Sequence, residues 1–171
     1  MTFGTDQRRR GFSYIEAVIS VVKLGTSIVG GLSMFSGYLQ RVRATADSAI
    51  GIELASDLMA EILSLPFEDV ELAEGSFGLD ADETSRSTFD DVDDYDGWTE
   101  SPPQARDGTP LGGTEYDAFV RSVIVNNTTS DLADVATDGT TRHKRVMVTV
   151  ERGGKRVQRL VGFRTRNDAW D

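Results

Sequence analysis

The hydrophobic pattern of this chain begins with a long, nearly unbroken apolar run. Residues 17–39 are apolar, small or hydroxyl-bearing except for Lys23. A helix over this run would be about 35 Å long at about 1.5 Å per residue, and a hydrocarbon core is about 30 Å thick. The pattern therefore predicts a membrane-spanning helix.

From residue 40 onward the apolar positions recur every four residues, which is typical of a helix with one buried face. That stripe consists of Val42, Ala46, Ile50, Leu54, Leu58 and Ile62. Leu65-Pro66 ends the pattern, since proline disfavours the helical conformation at the residue before it. We expect one helix over residues 13–65, whose second half lies against a sheet.

Strand-like patterns are confined to the last third of the chain. The predicted strands cover residues 116–125, 145–151 and 156–164, and the middle one alternates most regularly between apolar and polar side chains. Gly153-Gly154 predicts a tight hairpin between the last two. The predicted fold class is α+β, with a long N-terminal helix packed on a small antiparallel sheet.

A basic cluster precedes the apolar run. Arg8, Arg9 and Arg10 come directly before Gly11, and no cluster of similar density follows the run. The positive-inside rule therefore predicts a cytoplasmic N-terminus and export of everything after the helix. Glu16 lies at the edge of the run, where a lone carboxylate is costly enough to predict a charged partner.

These residues resemble the type IV prepilin signal, which type IV pilins share with the pseudopilins of type II secretion. In that family a basic leader ends in a glycine, the first mature residue is a phenylalanine, and a glutamate follows four residues later. Gly11, Phe12 and Glu16 match this pattern residue by residue. The resemblance implies cleavage after Gly11 and N-methylation of Phe12 by a prepilin peptidase. It also implies that Glu16 neutralises the amine of a neighbouring subunit's Phe12 during filament assembly.

The resemblance further implies a lollipop architecture and a single-pass protein of the bacterial inner membrane, with a periplasmic C-terminal domain that later joins a filament. The implied partners are other pilin or pseudopilin subunits, the prepilin peptidase, an inner-membrane assembly platform and the lipid bilayer. A minor subunit is favoured. The predicted divisions are a leader (1–11), a transmembrane and assembly half-helix (12–39), an amphipathic half-helix (40–65), an acidic connecting loop (66–115) and a sheet region (116–171).

Two other classes of protein fit parts of the same pattern. One is a single-pass anchored periplasmic binding domain that does not polymerise. The other is a soluble protein exported through a twin-arginine signal, with Arg9-Arg10 as the pair and a cut near Ala46. The apolar run is longer than the 7–15 residues of a secretory signal, and Glu16 interrupts it, so we favour the prepilin interpretation.

Lys23 departs from the expected apolar pattern. A lysine at the centre of a spanning helix costs about 2.5–3.5 kcal/mol. It follows Glu16 by two turns, so both lie on one helix face. The favoured interpretation is that it extends toward the membrane interface. The second hypothesis is that it meets a carboxylate of a neighbouring subunit and helps to set the place of this chain in a filament.

Residues 68–100 contain thirteen acidic residues and one basic residue, Arg86. The favoured interpretation is a solvated acidic loop that Tyr95 and Trp98 anchor. The alternative is a calcium site, because calcium requires several convergent oxygens. Its candidate ligands are Asp91, Asp93, Asp94 and Asp96. The spacing does not fit an EF-hand loop.

The composition of the 171 residues narrows the function further. The net charge of −10 argues against direct binding of nucleic acid phosphates, and the absence of cysteine excludes a disulfide. His143 is the single histidine and is expected at the surface, and no phosphate-binding glycine loop occurs. We therefore expect no enzyme activity and no cofactor other than the possible calcium ion.

Overall fold

The structure, a computed structural model, describes residues 11, 13–68, 77–79, 83–129, 132, 135–136 and 141–166. One long helix and four strands make up its regular structure, which confirms the predicted α+β class. The elements are α1 (Tyr14–Ser64), a short 3₁₀ helix (Asp93–Tyr95), β1 (Thr99–Glu100), β2 (Phe119–Thr128), β3 (His143–Arg152) and β4 (Lys155–Thr165).

The chain divides into two compact units, Met1–Ala44 and Thr45–Asp171. In the first unit the described part of α1 is exposed along almost its whole length. The second unit contains the rest of α1, the acidic loop and the sheet. Each unit is described separately below.

The four strands form one antiparallel sheet in the order β1-β2-β3-β4. Gly153 and Gly154 join β3 to β4 with φ values of +58° and +72°, a conformation that glycine adopts without steric cost. The predicted hairpin is therefore confirmed. Strand β1 lies inside the segment predicted as a connecting loop. The sequence pattern did not indicate this strand, because two residues are too few to produce a periodic pattern.

The core of the second unit lies between α1, the inner face of the sheet and part of the acidic loop. Its central side chains are almost fully buried: Leu54, Leu58 and Ile62 from α1, Phe89, Val92 and Tyr95 from the loop, and Val123, Val146, Val148 and Val150 from β2 and β3. The alternation predicted for β3 is thus confirmed. The buried stripe of α1 is shorter than predicted, since Val42 is 47% exposed.

Two glycines let α1 approach β4 closely. A Cβ added at Gly162 would lie 2.7 Å from Met59 Sδ, and one added at Gly51 would lie 3.0 Å from Val157 Cγ1. Both distances are shorter than ordinary van der Waals contact, so the close packing of helix on strand depends on these positions. By contrast, a Cβ at Gly30 or Gly37 would meet nothing within 4 Å.

Candidate functional site: the apolar helix and the acidic loop

The first half of α1 exposes apolar side chains that a water-soluble domain would bury. Val21 is 69% exposed, Leu32 65% and Met34 80%. The helix is long and apolar enough to cross a membrane, by length and composition. Such a surface requires lipid or other apolar helices around it, because a contiguous apolar patch in water is unfavourable.

Glu16 lies in the first turn of this helix and is exposed. Its backbone N–H donates to the Ser13 carbonyl oxygen at 3.0 Å, so it belongs to the regular start of α1. A carboxylate in the first turn also interacts favourably with the helix dipole. That effect explains why an acid is tolerated at the start of the helix, but it supplies no cationic partner.

The other residues of the predicted processing signal are only partly described. Gly11 is exposed, and a Cβ added there would meet nothing within 4 Å. Phe12 and the topology signal of Arg8, Arg9 and Arg10 lie outside the described residues. The accessibility of Gly11 is the one structural feature of the predicted cut site, and a peptidase requires such access.

At its densest run of acids, the acidic loop is not the solvated segment that its composition predicts. Asp91, Asp93 and Asp94 are 5%, 1% and 3% exposed, so the predicted solvation was wrong for these three residues, whereas Tyr95 is buried in the core as an anchoring residue should be. The physical reason is local hydrogen bonding. The Asp91 carboxylate accepts from the N–H groups of Asp93 and Asp94, and the Asp94 carboxylate accepts from those of Asp90 and Asp91, so each carboxylate keeps partners in place of water.

The four predicted calcium ligands do not converge on one point. Asp93 forms a buried ion pair with Lys144, and Asp96 Oδ1 accepts from the backbone N–H of Val125 at 2.9 Å. Among the described residues, the three-carboxylate group with oxygens within 4.8 Å of one another is Glu83, Asp90 and Asp94. Calcium binding therefore stays a prediction, and the residues that could hold the ion are this group.

Lys144 brings a cation into the centre of this loop. It lies on β3, is 2% exposed, and donates both to the Phe67 carbonyl oxygen and to Asp93. Its ammonium also lies 4.5 Å from the centre of the Phe67 ring, within the range of a cation–π interaction. The sequence pattern placed Lys144 at the start of a strand and offered no signal for this role, because its partners lie 51 and 77 residues away.

Two of the buried aspartates hold protons more tightly than usual. Burial, a hydrogen bond with Asp93 and the charge of Asp93 raise the pKa of Asp91 to about 7. Burial, a hydrogen bond with Glu83 and the charge of Asp91 raise the pKa of Asp94 to about 8. A divalent cation between Glu83, Asp90 and Asp94 would compete with the proton that the raised pKa of Asp94 favours.

The raised pKa values predict that stability falls as pH rises. Both groups bind protons more tightly in the folded than in the unfolded chain, so their stabilisation is complete below about pH 4 and lost as pH rises through about 8. We expect the free energy of unfolding, measured in EDTA by tryptophan fluorescence, to fall by several kcal/mol from pH 5 to pH 8, since each carboxyl contributes about 1.4 kcal/mol per pH unit between its unfolded and folded pKa values. Asp94→Asn should reduce this dependence to the part that Asp91 contributes.

Asp107→Asn is the matched control for this measurement. Asp107 is exposed, and hydrogen bonds from Thr109 lower its pKa, so it is already ionised throughout the range of pH 5 to pH 8. The control variant should therefore keep the pH dependence of the original protein. A stability that rises from pH 5 to pH 8 would contradict the prediction. Stabilisation by calcium at pH 8 that Asp94→Asn abolishes would assign the ion to this group.

A second polar network joins α1 to the loop and the sheet. Arg86 donates to both oxygens of Glu61, at 2.9 and 2.5 Å, and to the Gln104 carbonyl oxygen at 2.7 Å. Tyr95 Oη donates to Glu61 at 2.6 Å. Burial alone would raise the pKa of Glu61, but the hydrogen bonds from Arg86 and Tyr95 outweigh it and lower that pKa.

Arg121 extends the network on the sheet side. It is 1% exposed, pairs with Glu100, and donates to the Gln104 carbonyl oxygen at 2.6 Å. Burial lowers the pKa of its guanidinium, although Glu100 opposes that effect. Sequence analysis did not predict this network. The available signal was that Arg86 is the single basic residue among the thirteen acidic residues of segment 68–100.

Comparisons with known proteins add no relative to these observations. A scan against protein-family models found no matching family, and searches of curated proteins and of solved structures found no significant match.

Proposed function

We propose that this protein is a structural subunit, of the minor kind, of a type IV pilus or a type II secretion pseudopilus. The observation that carries the proposal is Glu16, which is exposed in the first turn of an apolar helix long enough to cross a membrane. Gly11 and Phe12 precede it in the register of the prepilin signal. A helix that only anchors a domain needs the apolar length but neither the carboxylate of Glu16 nor the glycine-phenylalanine pair before it.

In this proposal the mechanism is assembly. The subunit waits in the bacterial inner membrane with its N-terminus in the cytoplasm and its sheet domain in the periplasm. A prepilin peptidase cuts after Gly11 and methylates the new amine of Phe12. Glu16 then neutralises that amine on a neighbouring subunit, since a charge in apolar surroundings is stable only beside an opposite charge. An inner-membrane assembly platform moves the subunit from the bilayer into a filament.

The network of Glu61, Arg86 and Arg121 suits a domain that is extracted and packed. It connects α1 to the loop and the sheet by charge-assisted hydrogen bonds, which are stronger than neutral ones. A force applied along α1 would be transmitted to the sheet within the second unit. The net charge of −10 is compatible with a solvated exported domain.

The N-terminus of the protein in its membrane tests the proposal. We expect the mass and N-terminal sequence to show a start at Phe12 with one additional methyl group when a prepilin peptidase is present, and an intact N-terminus when it is absent. Gly11→Val should block the cut, whereas Glu16→Leu should not.

Each competing class predicts a different result in the same experiment. An intact Met1 in the presence of the peptidase would favour an anchored domain that does not polymerise. A start near Asp47 would favour a soluble protein released from a twin-arginine signal. Either result would contradict the proposed function.

A further inference from the structure

The apolar half of α1 carries one acid and one base. Between Tyr14 and Gln40 the charged residues are Glu16 and Lys23, which both lie exposed on the helix surface. Among the described residues neither forms an ion pair. An isolated charge in apolar surroundings is costly, so the helix presents two opposite charges that each require a partner.

The hydroxyl groups near these charges are already satisfied within the helix. Ser20 Oγ donates to the Glu16 carbonyl oxygen at 2.7 Å, and Ser27 Oγ donates to the Lys23 carbonyl oxygen at 2.8 Å. Because each serine hydroxyl already donates to a carbonyl oxygen of the preceding turn, it does not need a hydrogen-bond acceptor on another helix. The carboxylate of Glu16 and the ammonium of Lys23 are therefore the groups on this face that drive recognition.

Both charges lie on one face, in a stripe with alternating spacings of four and three that also holds four small residues. The stripe consists of Glu16, Ser20, Lys23, Ser27, Gly30, Met34 and Gly37. Residues with this spacing face a neighbouring helix. A Cβ at Gly30 or Gly37 would meet nothing within 4 Å, so no contact within the described chain explains these glycines. Small residues do allow a second helix to approach closely.

The spacing of the two charges determines how a second copy can satisfy them. Seven residues correspond to about 10.5 Å along a helix. Glu16 and Lys23 of one helix are therefore too far apart for an ion pair, which requires a distance of at most about 4 Å between nitrogen and oxygen. Copies inserted in the same membrane run parallel. A parallel neighbour that is displaced by seven residues brings its Glu16 level with Lys23 of the first copy.

We propose that Lys23 of one copy pairs with Glu16 of the next copy, with adjacent helices displaced by about 10.5 Å along their axes. The inference rests on the proposed function and adds to it the partner of Lys23 and the register between subunits. One copy contributes Lys23 and the other contributes Glu16, so the contact lacks the symmetry of a two-fold dimer. Because Glu16 and Lys23 lie on one helix face, that face accommodates one neighbour, and the contact joins two copies side by side.

Disulfide cross-linking tests the register directly, since the chain contains no cysteine of its own. Ser20 and Ser27 are also seven residues apart on the stripe, and their replacement by cysteine leaves both charges in place. Two differently tagged copies, Ser20→Cys and Ser27→Cys, are expressed together and oxidised in the membrane. A disulfide requires Cα atoms about 4.4–6.8 Å apart, and on facing helices that approach is limited to residues at one level, which the proposed displacement makes 20 and 27.

We expect the mixed 20–27 product to exceed the 20–20 and 27–27 products by about fivefold or more, because only the mixed pair lies at one level. A matched control uses Val22→Cys with Val29→Cys, two positions that are also seven residues apart but lie on another face of the helix. That pair should give little product. A 20–27 yield that does not exceed the 20–20, 27–27 or 22–29 yield would overturn the register.

Charge variants then test whether Lys23 sets the register. Lys23→Leu should lower the 20–27 yield by about fivefold, and Lys23→Arg should retain it, because arginine keeps the positive charge. An unchanged yield in Lys23→Leu would mean that Lys23 extends to the membrane interface, and the pairing would be wrong. Exchange of the charges, Glu16→Lys with Lys23→Glu in every copy, should recover the 20–27 product that each single reversal loses.

The N-terminus of the protein in the same membranes separates the two proposals. A start at Phe12 without an excess of 20–27 product would overturn the pairing and leave the proposed function standing. An uncut N-terminus with a dominant 20–27 product would overturn the proposed function and support the pairing between anchored helices.

Discussion

Arg86→Met is expected to lower the free energy of unfolding by about 3 kcal/mol, because it leaves Glu61 as an unpaired carboxylate in a mostly buried position. The side chain of Glu61 is 18% exposed and that of Arg86 is 9% exposed. Arg86 supplies two of the hydrogen bonds to Glu61, and Tyr95 supplies a third. Such a loss is a large share of the 5–15 kcal/mol that stabilises a typical domain.

Chemical unfolding followed by tryptophan fluorescence measures this change. Trp98 is a suitable probe, since the Arg86 guanidinium lies 5.2 Å from its ring centre. The variant alters that local environment, so circular dichroism should be recorded as a second signal.

Arg152→Met is the matched control for Arg86→Met. Arg152 also pairs with an acid of α1, Asp47, but its side chain is 40% exposed and that of Asp47 is 26% exposed. An exposed ion pair contributes about 0–1 kcal/mol. Equal stabilities of the two variants would contradict the assignment of Arg86 as the centre of the network. A second replacement, Glu61→Met, should recover stability in Arg86→Met, because it removes the unpaired charge.

Glu16→Leu is expected to remove the protein from filaments while leaving the cut after Gly11 intact. The carboxylate would no longer neutralise the amine of a neighbouring Phe12, or reach Lys23 of an adjacent copy. The loss of 1.4 kcal/mol at this contact already corresponds to a tenfold change in an equilibrium, so the amount in sheared filaments should drop by about tenfold or more. Quantitative immunoblots of sheared and membrane fractions measure this ratio.

Glu53→Leu is the appropriate control for Glu16→Leu. Glu53 is an exposed acid on the same helix, but it lies in the second unit and outside the apolar segment. Its replacement changes the net charge by the same amount and should leave the filament fraction unaltered. Normal filament amounts in Glu16→Leu would exclude an assembly role for this carboxylate.

The acidic loop shows where sequence reasoning failed and why. Its composition predicted a solvated segment, yet Asp91, Asp93 and Asp94 are buried. Composition alone does not distinguish an aspartate that accepts backbone N–H groups two or three residues away from one that faces water. The buried partner Lys144 comes from a strand 51 residues later, so its identity depends on the completed sheet.

The sequence by itself determined the elements whose pattern is local. A period of four predicted the second half of α1, alternation predicted β3, and Gly153-Gly154 predicted the turn before β4, because each signal depends only on neighbouring residues. The same is true of the charged positions on the apolar helix, since seven residues along a helix always span about two turns.

Only the tertiary structure decided which charged residues of the second unit are buried and paired. Glu61 meets Arg86 across 25 residues, and Arg121 meets Glu100 across 21. Thirteen acids in one segment look alike along the chain, and packing against α1 and the sheet distinguishes them. The physical reason is that burial of a charge is tolerable only where a partner has already been brought close, and that proximity is a property of the fold.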